Sequence, residues 1–509
     1  MKIMINVKDI INLLDSPSEK DIALVTRAYN FAQKAHEGQK RYSGEPFFTH
    51  LAETARGLAE IGMGATTVSV GLLHDTIEDV DVSPETVKEE FGEEILFLVD
   101  GVTKLGKLKY HGVQRHTESL RKLFVATSQD VRVVIIKLMD RLHNMKTLEH
   151  VPNKKQKRIA LETLEVYAPI ADRLGMGRIK RELEDLAFPY VYPKENKKVV
   201  ELLKERSNEN EKHLQKVLKT IKKAFAKEDI RDFRSEERIK GNYSLYKKLE
   251  RKDFDISKIH DVSALRIIVP TVSDCYRVLG IIHGIWRPLP GKIKDYIAFP
   301  KPNGYKSIHT TVFTGQTGTV EIQIRTEQMH QDAQFGIASH MSYKAKNHGD
   351  KNVGLEWVRQ FIPSFKFGTK EPEKVTPTKR EALIGIPNWI KQVAEENKKL
   401  SESDHEEYLK EIKTDFFSHR IFTFTPNGDV IDLPIDSSPV DFAYAVHSDI
   451  GNHVFGAMVN EKMASLDTKL KNGDIVEILT KEKSKPSKKW LDFVKTTLAK
   501  RHIRGTLNQ

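Results

Sequence analysis

The spacing of apolar residues changes along the chain and divides it into regions of different predicted structure. From residue 1 to about 195, apolar side chains recur every three or four positions, as in the segments Ile22 to Ala35 and Ile159 to Leu174. This period is typical of helices that bury one face. The charged stretch from Glu195 to Lys227 is also predicted to be helical, but it has few large apolar residues late in its course. We interpret it as a solvated connecting helix.

Short β-branched runs replace the helical period in the middle of the chain. Residues 264–269, 307–313 and 319–325 predict strands, and residues 274–286 predict a helix between the first two. We therefore expect a mixed α/β domain over residues 196–345. From 346 to 419 the pattern weakens into a charged, proline-containing linker with helices, of which Pro387 to Leu400 is the best candidate.

A third region begins at Arg420, where a predicted strand runs into a Pro-Asn-Gly turn. Short predicted strands continue as far as Gly473 to Thr480, which gives a small β domain over residues 420–482. The last 29 residues, from Lys481, hold nine Lys or Arg and two acids. We interpret residues 483–509 as a basic, helix-forming tail that is solvated or touches RNA.

Composition narrows the class of protein without choosing its chemistry. The 509 residues carry a formal charge of +11, which favours anionic partners such as nucleotides or RNA. Cys275 is the only cysteine, so the chain forms no internal disulfide and offers no thiolate zinc cluster. The sequence shows no secretory leader and no apolar run long enough to span a membrane, so we expect a cytoplasmic protein without membrane partners.

The first candidate for chemistry is the segment Gly-Leu-Leu-His-Asp-Thr-Ile-Glu-Asp at residues 71–79. His74 and Asp75 follow an apolar helical run, and Glu78 and Asp79 come one turn later. On a helix, residues four apart share a face, so Asp75 and Asp79 are expected to point toward one site. A solvated helix end would explain the His-Asp pair equally well, so its interpretation depends on distant partners.

Two distant ligand types supply those partners. His50 lies at the start of an apolar-periodic helix, and Asp140 follows another buried-looking run. Together with His74 and Asp75 they form a mixed nitrogen and oxygen set. Such a set suits a borderline or hard divalent ion such as Mn²⁺ and leaves positions open for water and phosphate.

The order His…His-Asp…Asp resembles the HD phosphohydrolase superfamily. The segments around it, residues 35–46, 74–79 and 136–145, are similar to the hydrolase half of the Rel/Spo alarmone (ppGpp) synthetase-hydrolases. The resemblance implies attack of water on the 3′-pyrophosphate of (p)ppGpp, with release of GDP or GTP and pyrophosphate.

The same resemblance implies roles for residues beside the metal ligands. Glu78 and Asp79 would orient or deprotonate the attacking water. Arg41 would contact phosphate, Ser43 would also bind the substrate, and Asn144 would contact its nucleoside side.

The second candidate lies in the α/β region. The basic segment from Arg238 to Lys248 has interleaved tyrosines and would suit a solvated surface as well as a binding site. A strand further along shifts this balance, because its alternation places Glu321, Gln323 and Arg325 on one face. Asp261 stands just before a neighbouring strand. Asp261 and Glu321 therefore offer two carboxylates to hold Mg²⁺ on a polyphosphate.

These segments resemble the alarmone synthetase domain, a pyrophosphokinase with a nucleotidyltransferase-like sheet. The resemblance implies transfer of pyrophosphate from ATP to the 3′-hydroxyl of GDP or GTP, with Glu321 helping to deprotonate that hydroxyl. Arg238 and Arg266 would sandwich adenine, and Tyr305 would stack on guanine. The other implied contacts are Lys240, Ser244 and Lys248 with ATP phosphates, and Lys292, Lys294, Lys301, Asn303, His309 and Gln323 around the acceptor nucleotide.

Residues 442–451 and 456–460 resemble a TGS domain, a small β-grasp fold. In the long alarmone enzymes this domain meets the 3′ end of uncharged tRNA, and the resemblance implies that His447 makes this contact. Taken by itself, a lone histidine more often has a structural role.

Taken together, the resemblances predict a bifunctional alarmone synthetase-hydrolase truncated after the TGS domain, with tRNA and the ribosome as further partners. The chain would lack the later helical, cysteine-bearing and ACT regulatory domains of the family. Alternatives are a hydrolase-dominant member with weak synthesis, a tRNA- or ribosome-binding regulator that senses nucleotides, and a generic HD nucleotidase. We further hypothesise reciprocal control of the two activities through the helix near residues 195–227.

Overall fold

A computed structural model of the chain describes residues 5–80, 82–106, 130–252, 254, 263–301, 303–315, 318–339, 420–426, 430–471 and 473–507. The chain forms two compact units. The first spans residues 1–107 and 126–357 and holds a helical region followed by an α/β region. The described part of the second begins at Arg420 and is a small α/β domain. The predicted linker at 346–419, with its helix at 387–400, lies outside the described residues.

The first region is built from helices, as its apolar period predicts. Its helices are α1 (Val7–Ile11), α2 (Glu19–Ala35), α3 (Phe48–Glu60), α4 (Ala65–Leu73), α5 (Thr76–Asp79), α6 (Pro84–Phe91), α7 (Glu93–Gly106), α8 (Val131–Lys146), α9 (Asn153–Glu162), α10 (Ala168–Arg173) and α11 (Gly177–Val191). A π-helical turn (Thr163–Tyr167) links α9 to α10.

Local sequence sets the ends of these helices. Ser18 caps α2 by accepting a hydrogen bond from the Asp21 backbone N–H, while the Asp21 carboxylate accepts from the Ser18 backbone N–H. This reciprocal box satisfies two backbone donors that the helix itself leaves free. Asp130 caps α8 by accepting from the Arg132 backbone N–H. Helix α8 then packs against both α3 and α4 through fully buried residues such as Val134 and Ile135.

The long helix α12 (Pro193–Lys227) is where the prediction of a solvated connector is wrong. Leu214, Val217, Ile221 and Phe225 are buried in the core beneath the central sheet. These four residues are spaced three or four apart, so they form one stripe along the helix. The charged positions between them mask this stripe, and the second half of α12 is structurally part of the α/β region.

The α/β region is built on a five-stranded sheet of order β1-β2-β5-β4-β3. Its strands are β1 (Arg234–Ile239), β2 (Ser263–Val269), β3 (Lys294–Asp295), β4 (Ile308–Phe313) and β5 (Thr319–Thr326). Strands β2 and β5 pair in parallel and the other neighbours are antiparallel. The three predicted strands are therefore confirmed as β2, β4 and β5, whereas β1 and β3 were not predicted.

Three helices accompany this sheet, namely α13 (Asn242–Glu250), α14 (Val272–Ile285) and α15 (Glu327–Phe335). Helix α14 matches the predicted helix and packs with α12 against one face of the sheet. Cys275 is buried in this core, in agreement with its interpretation as a packing residue. Because one face is covered by apolar helices, the polar side chains of the strands gather on the other.

Glycines join the helical region to the α/β region. The Ile337 backbone N–H donates to the Leu174 carbonyl oxygen at 3.0 Å. Gly336 has φ +56°, and a Cβ on it would collide with Leu174 O and lie 2.8 Å from Met176 N. A Cβ on Gly175 would lie 2.7 Å from Asn303 O. The junction therefore tolerates no side chain at these positions, and the two regions form one compact unit.

The second unit pairs β6 (Arg420–Phe424) with β7 (Val430–Pro434), and β8 (Val454–Val459) with β9 (Lys462–Ala464) and β10 (Val476–Thr480). Its helices are α16 (Pro439–Val446), α17 (Ser448–Asn452) and α18 (Thr497–Leu507). Trp490, Val494 and Ile503 are buried against α16. A solvated tail is therefore the wrong description of this segment. Within the described residues, no helix has the length and apolar character needed to cross a bilayer.

Candidate active sites

The four predicted ligands of the helical region converge at one point. His50 is in α3, His74 and Asp75 lie at the break between α4 and α5, and Asp140 is in α8. His50 Nε2 lies 3.2 Å from Asp140 Oδ1 and 3.8 Å from Asp75 Oδ2. His74 Nε2 lies 3.3 Å from Asp75 Oδ2 and 4.0 Å from Asp140 Oδ1. Two imidazole nitrogens and two carboxylates thus surround one small volume.

The donor atoms of this cluster fit a divalent metal ion. His50, His74 and Asp140 are all buried, and their ligand atoms lie within 4.8 Å of one another. His74 Nδ1 lies 2.9 Å from the Gly71 carbonyl oxygen, which only accepts, so Nδ1 carries the proton. The bare Nε2 is buried and hydrogen-bonds to nothing in the part of the chain that the structure describes. An orphaned imidazole lone pair facing two carboxylates is the arrangement that a metal ion completes.

Asp140 is held in its charged form by its neighbours. Burial alone would raise the pKa of its carboxyl group, but Lys137 and His50 lower it well below its usual range. Lys137 Nζ lies 2.6 Å from Asp140 Oδ2, and Asn144 Nδ2 donates to Asp140 Oδ1 at 2.5 Å. Lys137 was not predicted from the sequence. Its position one turn before Asp140 on the same helix could have suggested it.

Arg41 and Asn144, the predicted substrate contacts, meet beside this cluster. Arg41 Nη2 donates to Asn144 Oδ1 at 2.6 Å, and Arg41 Nη1 lies 2.9 Å from His143 Nδ1. His143 Nδ1 in turn lies 2.8 Å from His50 Nδ1. His143, three residues after Asp140, was also missed. The buried hydroxyl of Ser43 makes no hydrogen bond within the described chain.

The carboxylates after the His-Asp pair lie on a short separate helix rather than on a continuation of α4. Helix α4 ends at Leu73, and α5 begins after Asp75. The Asp79 backbone N–H still donates to the Asp75 carbonyl oxygen at 2.9 Å, so the expected four-residue relation survives the break. Burial and the nearby Asp75 raise the pKa of Asp79. Asp79 is therefore a stronger base than an exposed aspartate.

In the α/β region, strand register collects the predicted residues on the open face of the sheet. Glu321 pairs with Ala264, Gln323 with Arg266, and Gln323 also with His309 on the other side. Arg238 and Lys294 lie on the outer strands at the matching registers. Paired residues in a sheet point to the same face. The shared face expected for Glu321, Gln323 and Arg325 is thus confirmed, although Gln323 and Arg325 are buried rather than solvated.

Glu321 is the centre of the acceptor end of this face. Gln323 Nε2 donates to Glu321 Oε1 at 3.0 Å, and His309 Nδ1 lies 3.0 Å from the same oxygen. The Tyr305 hydroxyl lies 2.8 Å from His309 Nε2. Lys301 Nζ lies 5.0 Å from the centre of the Tyr305 ring, and burial lowers the pKa of this lysine. These contacts join the residues predicted around the acceptor nucleotide into one network.

The opposite end of the face is rich in guanidinium groups. Arg266 Nη1 donates to Glu236 Oε2 at 2.9 Å. Arg325 is 2% exposed, and its Nη2 lies 3.2 Å from His330 Nδ1. The Nε atoms of Arg266 and Arg325 are buried and have no hydrogen-bond acceptor among the described residues. Glu236 and His330 were not predicted, because their importance depends on strand pairing.

Helix α13 carries two of the predicted ATP-phosphate residues, Ser244 and Lys248, and Lys240 lies just before it. Two carboxylates of the helical region reach this end of the helix. Ser244 Oγ donates to Glu184 Oε2 at 3.1 Å, and the Tyr243 backbone N–H donates to Asp185 Oδ1 at 3.2 Å. Both acids are on α11, and neither was predicted as a site residue.

The remaining predicted residues have separate settings. Lys292 and Lys294 are exposed near the start of β3. Asn303 Nδ2 donates to the Asp172 carbonyl oxygen at 3.0 Å, which ties the acceptor loop to the helical region. His447 is exposed, and its Nδ1 caps α17 by accepting from the Asp449 backbone N–H at 3.2 Å, so its tRNA contact stays a prediction. Asp261 lies outside the described residues.

Comparison with known proteins agrees with this division. The sequence profile of the HD domain matches residues 28–177, that of the "region found in RelA / SpoT proteins" matches 237–348, and that of the TGS domain matches 421–480.

Two curated relatives are similar to this chain across all three of its regions. A GTP pyrophosphokinase from Myxococcus xanthus is 43% identical over 96% of this chain and 61% of its own length. A guanosine-3′,5′-bis(diphosphate) 3′-pyrophosphohydrolase from Aquifex aeolicus is 44% identical over 95% of this chain and 64% of its own length. The chain thus spans a little over three fifths of these curated relatives. The chain is thus similar to these two relatives over nearly its whole length, and its middle region matches the profile found in RelA and SpoT proteins.

Proposed function

We propose that the chain is a bifunctional alarmone enzyme. In this proposal the helical site hydrolyses (p)ppGpp to GDP or GTP and pyrophosphate, and the sheet site makes (p)ppGpp from ATP and GDP or GTP. The observation that carries the proposal is that both polar clusters occur within one compact unit. The product of one site would be the substrate of the other. The names of the two relatives, one a pyrophosphokinase and one a pyrophosphohydrolase, support this pairing.

In the helical site, His50, His74, Asp75 and Asp140 would hold the divalent ion. Two imidazoles with two carboxylates favour a borderline ion, so we propose Mn²⁺. The bound ion would supply a Lewis acid for the 3′-pyrophosphate and lower the pKa of a water molecule. Asp79, whose pKa is raised, would accept the proton of the attacking water, with Glu78 orienting it. Arg41 and Ser43 would contact the phosphates, and Asn144 the nucleoside.

In the sheet site, Glu321 with Asp261 would hold Mg²⁺ on the ATP phosphates. Glu321 would also accept the proton of the 3′-hydroxyl, with Gln323 and His309 orienting its carboxylate. Arg238 and Arg266 would enclose the adenine, and Arg266 is already oriented by Glu236. Positioning and charge neutralisation would supply most of the rate enhancement, as is general for phosphoryl transfer.

Around the acceptor, Tyr305 would stack on guanine while Lys301 neutralises phosphate charge. His309, Gln323 and Asn303 would line the rest of that pocket, and the exposed Lys292 and Lys294 would approach the acceptor phosphates. At the donor end, Lys240, Ser244 and Lys248 would hold the ATP phosphates. Ser244 would first have to leave Glu184, to which it donates in this structure.

Two incubations of the purified chain test the proposal. In the first, ATP, GDP and Mg²⁺ are supplied, and nucleotides are separated by anion-exchange chromatography; we expect ppGpp and AMP. In the second, ppGpp and Mn²⁺ are supplied, and we expect GDP and pyrophosphate. Absence of ppGpp in the first would overturn the synthetase half, and intact ppGpp in the second would overturn the hydrolase half.

A further inference from the structure

His143 lies between Arg41, whose side chain can only donate hydrogen bonds, and His50, a proposed metal ligand of the helical site. Its Nδ1 lies 2.9 Å from Arg41 Nη1 and 2.8 Å from His50 Nδ1. A guanidinium group has five N–H donors and no acceptor. His143 Nδ1 must therefore carry a lone pair toward Arg41, which makes it a hydrogen-bond acceptor.

That polarity determines the tautomer of His50. Because His143 Nδ1 accepts, the contact with His50 is favourable only when His50 Nδ1 carries a proton and donates it. A neutral imidazole has one N–H, so His50 Nε2 is then bare. This is the nitrogen that lies 3.2 Å from Asp140 Oδ1 and 3.8 Å from Asp75 Oδ2. The lone pair of His50 consequently points into the ligand cluster.

The second histidine ligand is prepared in the same way, but by a different partner. His74 Nδ1 donates to the Gly71 carbonyl oxygen, which leaves its Nε2 bare. A backbone carbonyl is present whatever the side chain at residue 71. For His50 the corresponding acceptor is a side chain, so a single substitution can remove it. Outer partners of this kind orient metal-binding histidines and typically contribute 10–100-fold to metal affinity.

We propose that His143 is a positioning residue, which fixes His50 with a protonated Nδ1 and a bare Nε2 for the divalent ion. This inference rests on the proposed metal site. It also links the ion to Arg41, because the same guanidinium that is proposed to contact phosphate sets the polarity of His143. Arg41 further donates to Asn144, which donates to Asp140, so a second chain of hydrogen bonds ends on another ligand.

Two substitutions separate the acceptor from the bulk of the ring. His143→Asn keeps an acceptor, because the amide oxygen is bonded to Cγ as Nδ1 is. His143→Leu keeps a branched side chain at Cγ but has no acceptor. His150→Leu, an exposed histidine on the turn after α8, is the matched control. The parent chain of this experiment carries Glu321→Gln, and so do all variants, so that the second candidate cation site contributes less to binding.

The experiment is calorimetric titration of the metal-free full chain with Mn²⁺, with thermal unfolding in metal-free buffer to check the fold. We expect one Mn²⁺ per chain, about 10–100-fold weaker binding for His143→Leu, and binding within about threefold of the parent for His143→Asn and His150→Leu. Equal affinity of His143→Leu and the parent would overturn the positioning role. Equally weak binding by His143→Asn and His143→Leu would overturn the acceptor argument.

The outcome also separates this inference from the proposed function. If the parent chain binds no Mn²⁺, the proposed metal site fails and the positioning role fails with it. If the parent binds Mn²⁺ and His143→Leu binds it equally well, only the role of His143 fails. Loss of the unfolding transition in His143→Leu leaves the decision to His143→Asn, in which weak binding would again overturn the acceptor argument.

Discussion

The two candidate sites are assembled by different means from one compact unit. The helical site takes its ligands from positions 50, 74, 75 and 140, which only the packing of three helices brings together. The sheet site takes most of its residues from neighbouring strands, where hydrogen-bonded register alone places Arg266, Gln323 and His309 side by side. The first site depends on tertiary packing, and the second depends on strand alignment.

Their electrostatics differ in the same way. In the helical site, two buried histidines face Asp75 and Asp140 on the inner side of the cluster, and Lys137 lies on the other oxygen of Asp140. In the sheet site, Arg325 is buried and Arg266 is partly buried, and the Nε atoms of both are buried and unbonded within the described chain, so positive charge is already present. A site of the first kind is completed by a cation, and one of the second kind by an anion such as a polyphosphate.

The sharpest way to break this comparison is to remove one ligand from the helical site. Asp75→Ala removes a carboxylate that lies 3.3 Å from His74 Nε2. We expect ppGpp hydrolysis to fall by more than about 100-fold, since even an outer partner of a metal ligand typically contributes 10–100-fold. Synthesis from ATP and GDP should be retained. Both rates are measured on the same preparation by nucleotide chromatography.

The reverse change is made in the sheet site. Glu321→Gln keeps the shape of the side chain but removes the charge that faces His309 and Gln323. We expect synthesis to fall by about 100-fold or more, because a catalytic base typically contributes about 10²–10⁴-fold to the rate. Hydrolysis should continue. If either this variant or Asp75→Ala lost both activities, the assignment of two separate sites would be wrong.

The amount of each site that could be predicted follows from this difference. The alternation in Glu321, Gln323 and Arg325 reports a shared face directly, because side chains alternate along a strand. The partner strand β1 was missed because Arg234, Glu236 and Arg238 alternate among charged residues and present no apolar face in the sequence. Because β1 was not among the predicted strands, the contact of Glu236 with Arg266 could not be predicted either.

In the helical site the four ligands were predicted from their residue types beside apolar helical runs, and their order then matched that of a known superfamily. Spacing on α8 could have added Lys137 and His143, which lie one turn on either side of Asp140. Their roles still depend on how α3 packs against α8, because His143 is defined by its contacts with His50 and Arg41. The angle at which two helices pack cannot be predicted from the apolar period of either helix alone.

The junction between the regions tests whether the two sites share one folded unit. Gly336→Ala would place a Cβ against the Leu174 carbonyl at φ +56°. We expect the free energy of unfolding to drop by more than about 2 kcal/mol, from backbone strain and overpacking together. Gly280→Ala, in α14 where a Cβ would meet nothing within 4 Å, should instead gain about 0.5–1 kcal/mol. Calorimetry measures the unfolding of both variants. An unchanged unfolding midpoint for Gly336→Ala would show that the helical and α/β regions do not depend on this junction for stability.

The acids of α11 offer a finer comparison, since they bring negative charge to the end of α13 that is proposed to bind the ATP phosphates. Glu184 accepts from Ser244, and Asp185 accepts from the backbone at the start of α13, where ATP phosphates are proposed to lie. We expect Glu184→Gln with Asp185→Asn to lower the KM for ATP by roughly fivefold, because about 1 kcal/mol of like-charge repulsion is removed. Glu182→Gln is the control, because Glu182 lies on the same helix as the two acids but pairs with Lys146 and Arg178. A raised KM for ATP would show that the two acids support the site instead.

The smallest effect concerns acid stability. Burial and Arg325 lower the pKa of His330 to about 4, below its ordinary value of 6.5. Between about pH 6.5 and 4 the unfolded chain therefore binds a proton that the folded chain rejects, so stability is lost as the pH falls through this window. We expect a loss of about 1 kcal/mol by about pH 6, because each further pH unit within this window removes up to about 1.4 kcal/mol.

His330→Gln isolates this contribution. The groups facing His330 are Arg325, Arg266, Glu236 and Glu327, and the two arginines oppose its protonation while the two glutamates favour it. Hydrogen exchange of the peptide covering α15, measured at pH 7.5 and 5 with correction for the intrinsic rate, gives the local free energy of opening. The parent should lose more of this free energy than His330→Gln as the pH falls. Equal losses in the two proteins would mean that Arg325 and Arg266 do not exclude a further positive charge, and the electrostatic contrast between the sites would then rest on the helical site alone.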